Sequence, residues 1–280
     1  MKVNTFIVGA PKAGTSSLHF YLNQHPEICM SSVKEPNFFS AKEVENLYYN
    51  SQIVSSTKDY NSLFESDVKI KGESSVSYLY YKEVAKRIYE YNAKAKIIIM
   101  LRKPVERLFS HYLMDKRLGL CSVSLQEIYD NRVVHSLFFQ QFFSLGNYSE
   151  QIKKYQEFFD TSQVLILFYD DLKSDTASEV DKVFSFLGVE KKEVDLQLKN
   201  QMLVTNNLLL SALYKYRFVR KFLRFVFPSS LVKVIIKTFF NSKNKDKLSL
   251  SELKMISNYY EDEISNLEVL INKDLSAWKK

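Results

Sequence analysis

Apolar residues fall into two rhythms along this chain. Unbroken runs at Lys2–Val8, Gln163–Tyr169 and above all Lys96–Leu101, with isoleucine at 97, 98 and 99, have the length and β-branching of strands covered on both faces. Glu27–Met30 and Val68–Gly72 are shorter strand candidates. Between them the spacing turns helical: Ser16–Gln24, ended by His25-Pro26, then Lys82–Tyr91, Val105–Arg117, Tyr148–Phe159 and Thr176–Leu187. Pro104 suits the first turn of the third of these, and Gly188 stops the last. Beyond Asn200 the pattern reads as helix to the end. Strands alternating with helices predict an α/β architecture of three layers. A central, mostly parallel sheet is flanked by helices, the C-terminal part is helical, and ligands bind at the carboxyl ends of the strands.

Composition narrows this picture. A chain of 280 residues suits one large α/β domain or two small ones, and no Pro/Gly/Ser linker or repeat divides it. The expectation is a single domain over 1–280, with 202–248 as a variable helical cap. A 46% hydrophobic content with 21 Phe and 18 Tyr supplies a large core and excludes a disordered chain. The two cysteines, Cys29 and Cys121, lack metal-ligand spacing, so no metal site is expected and a reduced, cytoplasmic setting is the plain reading. No signal peptide is expected ahead of the first strand, and no run reaches the roughly 18 apolar residues of a membrane span. A formal charge of +7 suits anionic ligands.

The chemistry begins at Phe6-Ile7-Val8-Gly9-Ala10-Pro11-Lys12-Ala13-Gly14-Thr15-Ser16-Ser17-Leu18. An apolar strand runs into a loop with two glycines and a lysine, and small hydroxyl residues open a helix. Backbone N–H groups at such a helix start cradle a phosphate or sulfate. The spacing resembles the phosphate loop G-x-x-x-x-G-K-[ST], but Thr15 stands where that motif has lysine, and the lysine lies inside the loop at position 12. The fold expectation is therefore P-loop-NTPase-like, for an adenine nucleotide whose 5′ group is not a triphosphate. Two more strand ends are equipped. Lys34-Glu35-Pro36-Asn37-Phe38-Phe39 follows the short second strand, and Arg102, with Arg107 and Ser110 further along the next helix, follows the strongest strand. Arg102 can fork onto a phosphate, with the Ser110 hydroxyl adding a bond. Two anion sites at neighbouring strand ends suit a nucleotide phosphorylated at both ends of its ribose.

At this point the chain resembles the sulfotransferases that use 3′-phosphoadenosine 5′-phosphosulfate (PAPS), most closely the bacterial and glycosaminoglycan (carbohydrate) type. Gly9–Leu18 is similar to the family's 5′-phosphosulfate loop, and Leu101-Arg102-Lys103-Pro104-Val105-Glu106-Arg107-Leu108-Phe109-Ser110-His111-Tyr112 to its 3′-phosphate motif. Lys34–Phe39 resembles the K-E-x-x-F-F segment, whose glutamate is the base in glycan sulfotransferases. Gly72-Glu73-Ser74-Ser75-Val76-Ser77-Tyr78 resembles the G-E-[KA]-S-P-x-Y stretch. Gly146-Asn147-Tyr148, Phe168-Tyr169-Asp170-Asp171-Leu172 and Asp274-Leu275-Ser276-Ala277-Trp278 also match. The chain departs from the pattern at Ser74 and Val76, and Phe222 follows Arg220-Lys221 where the cytosolic small-molecule branch has R-K-G.

The resemblance implies transfer of a sulfuryl group from PAPS to a hydroxyl or amine, with adenosine 3′,5′-bisphosphate (PAP) as product, no metal, and a glycan as acceptor. It implies that Pro11, Lys12, Ala13, Gly14, Thr15 and Ser16, with Arg102 and Ser110, hold the nucleotide. Lys12 stabilises the leaving phosphate and Glu35 takes the acceptor proton. Lys34, Glu73, Ser75 and His111 are expected on the acceptor side, and Trp278 in the packing of the C-terminal helix. Two other classes stay open: an ATP-dependent kinase with Asp170 or Asp171 holding metal, and a non-catalytic nucleotide- or glycan-binding module. Finally, 208–240 interleaves cations with aromatics, as in Tyr214-Lys215-Tyr216-Arg217-Phe218-Val219-Arg220-Lys221. It is expected to cap the acceptor cleft or to touch an anionic membrane surface, the inner one for a cytoplasmic protein. Nucleic acid is not expected as a partner, because no recognition motif accompanies the charge.

Overall fold

The structure, a computed structural model, describes residues 2–49, 51–65, 68–196 and 247–279. Its centre is a parallel sheet of β1 (Thr5–Gly9), β2 (Ile28–Met30), β3 (Ile70–Ser74), β4 (Lys96–Leu101) and β5 (Val164–Phe168), in the order β2-β3-β1-β4-β5. β1 pairs with β3 on one side and β4 on the other, so the chain leaves the centre in both directions and the order reverses at the end of β1. In an open parallel sheet that reversal opens a crevice at the carboxyl ends of the strands.

The elements form for local reasons. Ile97 to Leu101 are all 0% exposed, as a continuous apolar run requires when both sheet faces are covered. Helix α1 (Thr15–Leu22) follows β1. The short helices α2 (Ala41–Glu45) and α3 (Thr57–Asn61) lie between β2 and β3, and α4 (Val84–Tyr91) leads to β4. Helix α5 (Pro104–Leu118) starts with proline in its first turn and ends at Gly119 with φ 71°, a left-handed position that suits glycine. Next come α6 (Leu125–Asp130), α7 (Ser136–Phe142) and α8 (Tyr148–Gln156). After β5 lie α9 (Tyr169–Ser174) and α10 (Thr176–Leu187), the latter capped by the Asp175 side chain on the Ser178 N–H. The last helix, α11 (Leu250–Ile271), opens with a reciprocal capping box between Ser249 and Glu252. It packs on α8 and α5 and buries Ile256, Tyr260, Ile264 and Leu267.

The sequence reading of the strands holds within two or three residues at each end, and three corrections follow. The second half of the Val68–Gly72 candidate is strand, but β3 continues to Ser74. Segments left without assignment contain α2, α3, α6, α7 and α9, short helices fixed by what they pack against. The helical reading to the end stops at Asn272, whose φ of 50° turns the chain before a 3₁₀ turn at Ser276–Trp278. Trp278 packs against Phe168 with ring centroids 5.8 Å apart. The expected cap at 202–248 and the basic segment 208–240 lie outside the described residues, apart from Lys247 and Leu248. Among the described residues no helix is long and apolar enough to cross a membrane.

Candidate active site

A cleft of about 1160 Å³ opens over the carboxyl ends of the strands. Pro11, Lys12, Gly14, Thr15 and Ser16 line one side, Glu35 and Asn37 another, and Arg102, Ser110 and His111 a third. These groups lie as far as 100 positions apart in sequence, and the sheet reversal brings them to one rim. Ala13 is buried beneath the loop and contributes a backbone bond, its N–H donating to the Ala10 carbonyl at 3.3 Å.

The loop after β1 is an open anion cradle. Its helix, α1, begins at Gly14 with φ 90° and has neither a side-chain cap nor an acidic residue in the first turn. The N–H groups there are left for a ligand, and the helix dipole favours a negative one. A Cβ at position 14 would lie 3.1 Å from Tyr169 and 3.3 Å from Leu172, so the site is tight for a side chain and its φ favours glycine. Lys12 occupies the left-handed region with φ 67°, unusual for a residue with a Cβ. Its ammonium donates to the Met114 thioether at 3.3 Å. Burial, and then the nearby Arg117 and Arg102, lower its pKa to about 8, against the pull of Asp115 and Glu35. An ammonium poised to lose its proton is stabilised by any anion placed beside it.

Glu35 is the second non-glycine residue on this rim held in the left-handed region, at φ 65°, followed by Asn37 at 52°. Strained backbone of this kind persists where surrounding bonds over-determine it, and here they do. The Glu35 N–H donates to the Ser74 carbonyl at 2.9 Å. The Asn37 amide spans the Glu35 and Gln52 carbonyls at 2.8 and 3.1 Å and accepts from the Ser77 hydroxyl at 2.7 Å. The Glu35 carboxylate meets the Lys34 ammonium at 2.7 Å. Lys34 thus touches the proposed base and does not itself line the cleft.

Glu73 and Ser75, expected on the acceptor side, are both 0% exposed and lie under this loop instead. The Glu73 carboxyl accepts from Tyr60, Tyr78 and Ser75, each at 2.8 Å. Ser75 Oγ in turn accepts from the Asn37 N–H at 3.1 Å, and Tyr78 Oη from the Phe39 N–H at 3.1 Å. Burial raises the Glu73 pKa to about 7 against these three donors. Glu73 is therefore the buried post on which the Glu35 loop is built. A G-E-x-S motif read alone cannot distinguish such a post from a contact residue.

Arg102 projects from the end of β4. It forks onto Glu106 through Nη2 and Nε at 2.9 and 3.2 Å, donates through Nη1 to the Lys12 carbonyl at 3.2 Å, and lies 4.5 Å over the Tyr169 ring. It thus ties the loop after β1 to the end of β4, with Ser110 lining the same cleft. Arg107, which the sequence places near Arg102 and Ser110, does not line the cleft. It is 0% exposed and bonds the Gln141 and Phe142 carbonyls and His111. His111 lines the cleft, with its two ring nitrogens engaged by Arg107 at 3.2 Å and Tyr49 at 2.7 Å.

Sequence reasoning missed several residues of the cleft. Tyr169 stands at the end of β5, where the strand-end rule points. Tyr49 and Met114 carried no signal, because only folding sets them beside His111 and Lys12. Among the described residues no group of three or more His, Cys, Asp or Glu could hold a metal ion.

Comparison with known proteins gives a consistent result. The family model described as sulfotransferase domain matches residues 2–208. The human heparan sulfate glucosamine 3-O-sulfotransferase 6 is 28% identical over 192 residues, 68% of this chain and 53% of that protein. The human carbohydrate sulfotransferase 15 is 25% identical over 258 residues, 67% of this chain and 45% of that protein. The chain thus spans about half the length of these two curated relatives. Among solved structures, a sulfotransferase from Alicyclobacillus acidocaldarius superposes with a TM-score of 0.74 and 28% identity over 100% of both chains. A mouse sulfotransferase complexed with PAP shares the fold, with a TM-score of 0.55 and 14% identity over 96% of this chain and 86% of that one.

Proposed function

Because the chain belongs to the sulfotransferase family, we propose that it moves a sulfuryl group from PAPS to a hydroxyl or amine of a carbohydrate acceptor. One observation carries this reading. Lys12 and Glu35, a cation on an uncapped helix start after β1 and a carboxylate beyond the end of β2, are both held in left-handed backbone and both face one cleft. The uncapped first turn of α1 and Lys12 suit the 5′-phosphosulfate, while Arg102 and Ser110 suit the 3′-phosphate. Tyr169, under the Arg102 guanidinium, adds an aromatic face on the nucleotide side. The carbohydrate acceptor is argued from the names of the relatives and the K-E-x-x-F-F resemblance.

In the proposed reaction the bond from sulfur to the bridging 5′-phosphate oxygen breaks and a bond from sulfur to the acceptor atom forms. The electron pair of the broken bond stays on PAP, where Lys12 and the loop amides meet the developing charge. The acceptor proton passes to the Glu35 carboxylate, which Lys34 holds in place beforehand. The basic charge of 208–240, which lies outside the described residues, is proposed to meet an anionic acceptor or an anionic membrane surface. The test is transfer of labelled sulfate from PAPS to a panel of glycans in EDTA, with mass spectrometry of the products and calorimetry of PAP binding. Sulfated product is expected without added metal. Binding of ATP with magnesium in preference to PAP would overturn the reading in favour of a kinase, and tight PAP binding with no transfer to any acceptor would favour a binding module.

A further inference from the structure

The inward face of α5 carries a polar column to which the proposed reaction gives no role. Arg107, His111 and Asp115 are spaced four apart, so they stack on one side of the helix. Arg107 and Asp115 are 0% exposed. Arg107 Nη1 lies 3.2 Å from His111 Nδ1. A guanidinium only donates, so Nδ1 accepts, the ring proton sits on Nε2, and Nε2 donates to the Tyr49 hydroxyl at 2.7 Å. The Tyr49 and Tyr48 hydroxyls then donate to one and the same carboxylate oxygen, Asp115 Oδ2, at 2.6 and 2.7 Å. Burial above all keeps both phenols far from ionising, so they stay donors. The other oxygen, Asp115 Oδ1, is buried with no hydrogen-bond partner among the described residues. A buried carboxylate oxygen left without a partner is costly, and an asparagine would accept from the same two hydroxyls without the charge.

The charge acts on the anion loop. Met114, next to Asp115 on α5, receives the hydrogen bond of Lys12, and among the described residues no carboxylate lies within ion-pair distance of that ammonium. Lys12 is faced by the cations Arg117 and Arg102 and by two acids, Asp115 and Glu35. Glu35 is the group proposed to become protonated during transfer, and it already pairs with Lys34. Asp115 is then the remaining acid: burial raises its pKa, and the Tyr49 and Tyr48 hydroxyls and Lys12 oppose that rise and favour its charged form. Around Asp115 stand Tyr48, Tyr49, Lys12 and Cys121.

We propose that Asp115 is a positioning residue for sulfuryl transfer: a buried counter-charge, clamped by Tyr48 and Tyr49, that keeps the Lys12 ammonium charged at the loop. This rests on the proposed role of Lys12, and its test reads the lysine directly. Competitive acetylation of Lys12 by acetic anhydride, followed by mass spectrometry from neutral pH to about pH 10, gives the midpoint at which the amine becomes reactive. The unliganded full chain is compared with Asp115→Asn and Tyr49→Phe. Asp115→Asn removes the charge and keeps the shape, so its midpoint should fall by at least about half a pH unit, and PAP affinity near that midpoint by about threefold. Tyr49→Phe keeps both the charge and the Tyr48 bond and should leave the midpoint in place. An unmoved midpoint in Asp115→Asn overturns the proposal, and so does an equal shift in Tyr49→Phe, which would mark packing damage. If Asp115→Asn does not fold, the double variant Tyr48→Phe/Tyr49→Phe, which frees the carboxylate from its clamp, must move the midpoint, and a midpoint that stays overturns the proposal. Wild-type protein that fails to bind PAP overturns the proposed function alone, because the acetylation midpoint still decides the role of Asp115.

Discussion

Nucleotide binding should draw a proton from solution onto Lys12. In the free protein its pKa is lowered from 10.5 to about 8, first by burial and then by Arg117 and Arg102. That depression corresponds to roughly 3 kcal/mol of unfavourable environment for the charged amine, at about 1.4 kcal/mol per unit. A phosphate set beside the amine favours the charged form and moves the pKa back up. At pH 8 the free protein carries about half a proton on Lys12 and the complex about one, so binding takes up about half a proton. The affinity should be nearly flat below pH 7 and fall about tenfold per unit above pH 8, to a limit near 300-fold if the pKa returns fully to its ordinary value. The nucleotide contributes little to this, since phosphate monoesters lose their second proton near pH 6. The assay is calorimetry of PAP binding at pH 8 in two buffers of different ionisation enthalpy, with Lys12→Arg as the control that cannot titrate. Tight PAP binding with the same heat in both buffers, or equal proton uptake in Lys12→Arg, would refute the placement of Lys12 beside the phosphate.

Four further outcomes test other parts of the site. Glu35→Gln should lower turnover by about 10²–10⁴ and leave PAP affinity intact in calorimetry, and a collapse of affinity would mark Glu35 as structural. Arg102→Ala should lose about 2–5 kcal/mol of the preference for PAP over 5′-AMP, because Arg102 is the residue proposed to hold the 3′-phosphate, and an undiminished preference would remove it from that role. Gly14→Ala should lower the melting temperature and PAP affinity together, since φ is 90° and the new methyl would lie 3.1 Å from Tyr169, and wild-type behaviour would remove the need for that loop geometry. Glu73 has a folded pKa raised from 4.5 to about 7, so its contribution to stability is fully present below about pH 4.5 and is lost as pH rises through 7. Melting curves of Glu73→Gln against wild type should therefore favour the variant progressively between those limits, and a pH-independent difference would contradict the buried, raised carboxyl.

The sheet and the anion loop were legible in the sequence because both are written in short-range pattern. Ile97-Ile98-Ile99 is a β-branched run that favours a strand covered on both sides, and glycines flanking Lys12 before Thr15-Ser16 favour a tight turn into a helix. The short helices α6 and α7 were not legible, since at six and seven residues they draw their stability from packing and not from propensity. The motif containing Glu73 and Ser75 was legible as a motif and misread as a contact surface. Its polar residues are the kind a binding site uses, and a buried network of tyrosines and a serine uses the same kind.

The sequence by itself thus determined the parallel α/β order, the strand ends that carry Lys12, Glu35 and Arg102, and the chemistry those residue types allow. These follow from the periodicity of apolar residues and from the preference of helix starts for anions, which act over a few residues. Tertiary structure decided which of the polar residues face the cleft and which hold it from behind. Arg107, one turn from Arg102, is turned into the core by the carbonyls of Gln141 and Phe142, and Asp115 meets two tyrosines more than 60 positions away. Side-chain direction on a helix depends on the elements packed around it. A buried charge settles where distant donors converge, and that convergence exists only once the chain is folded.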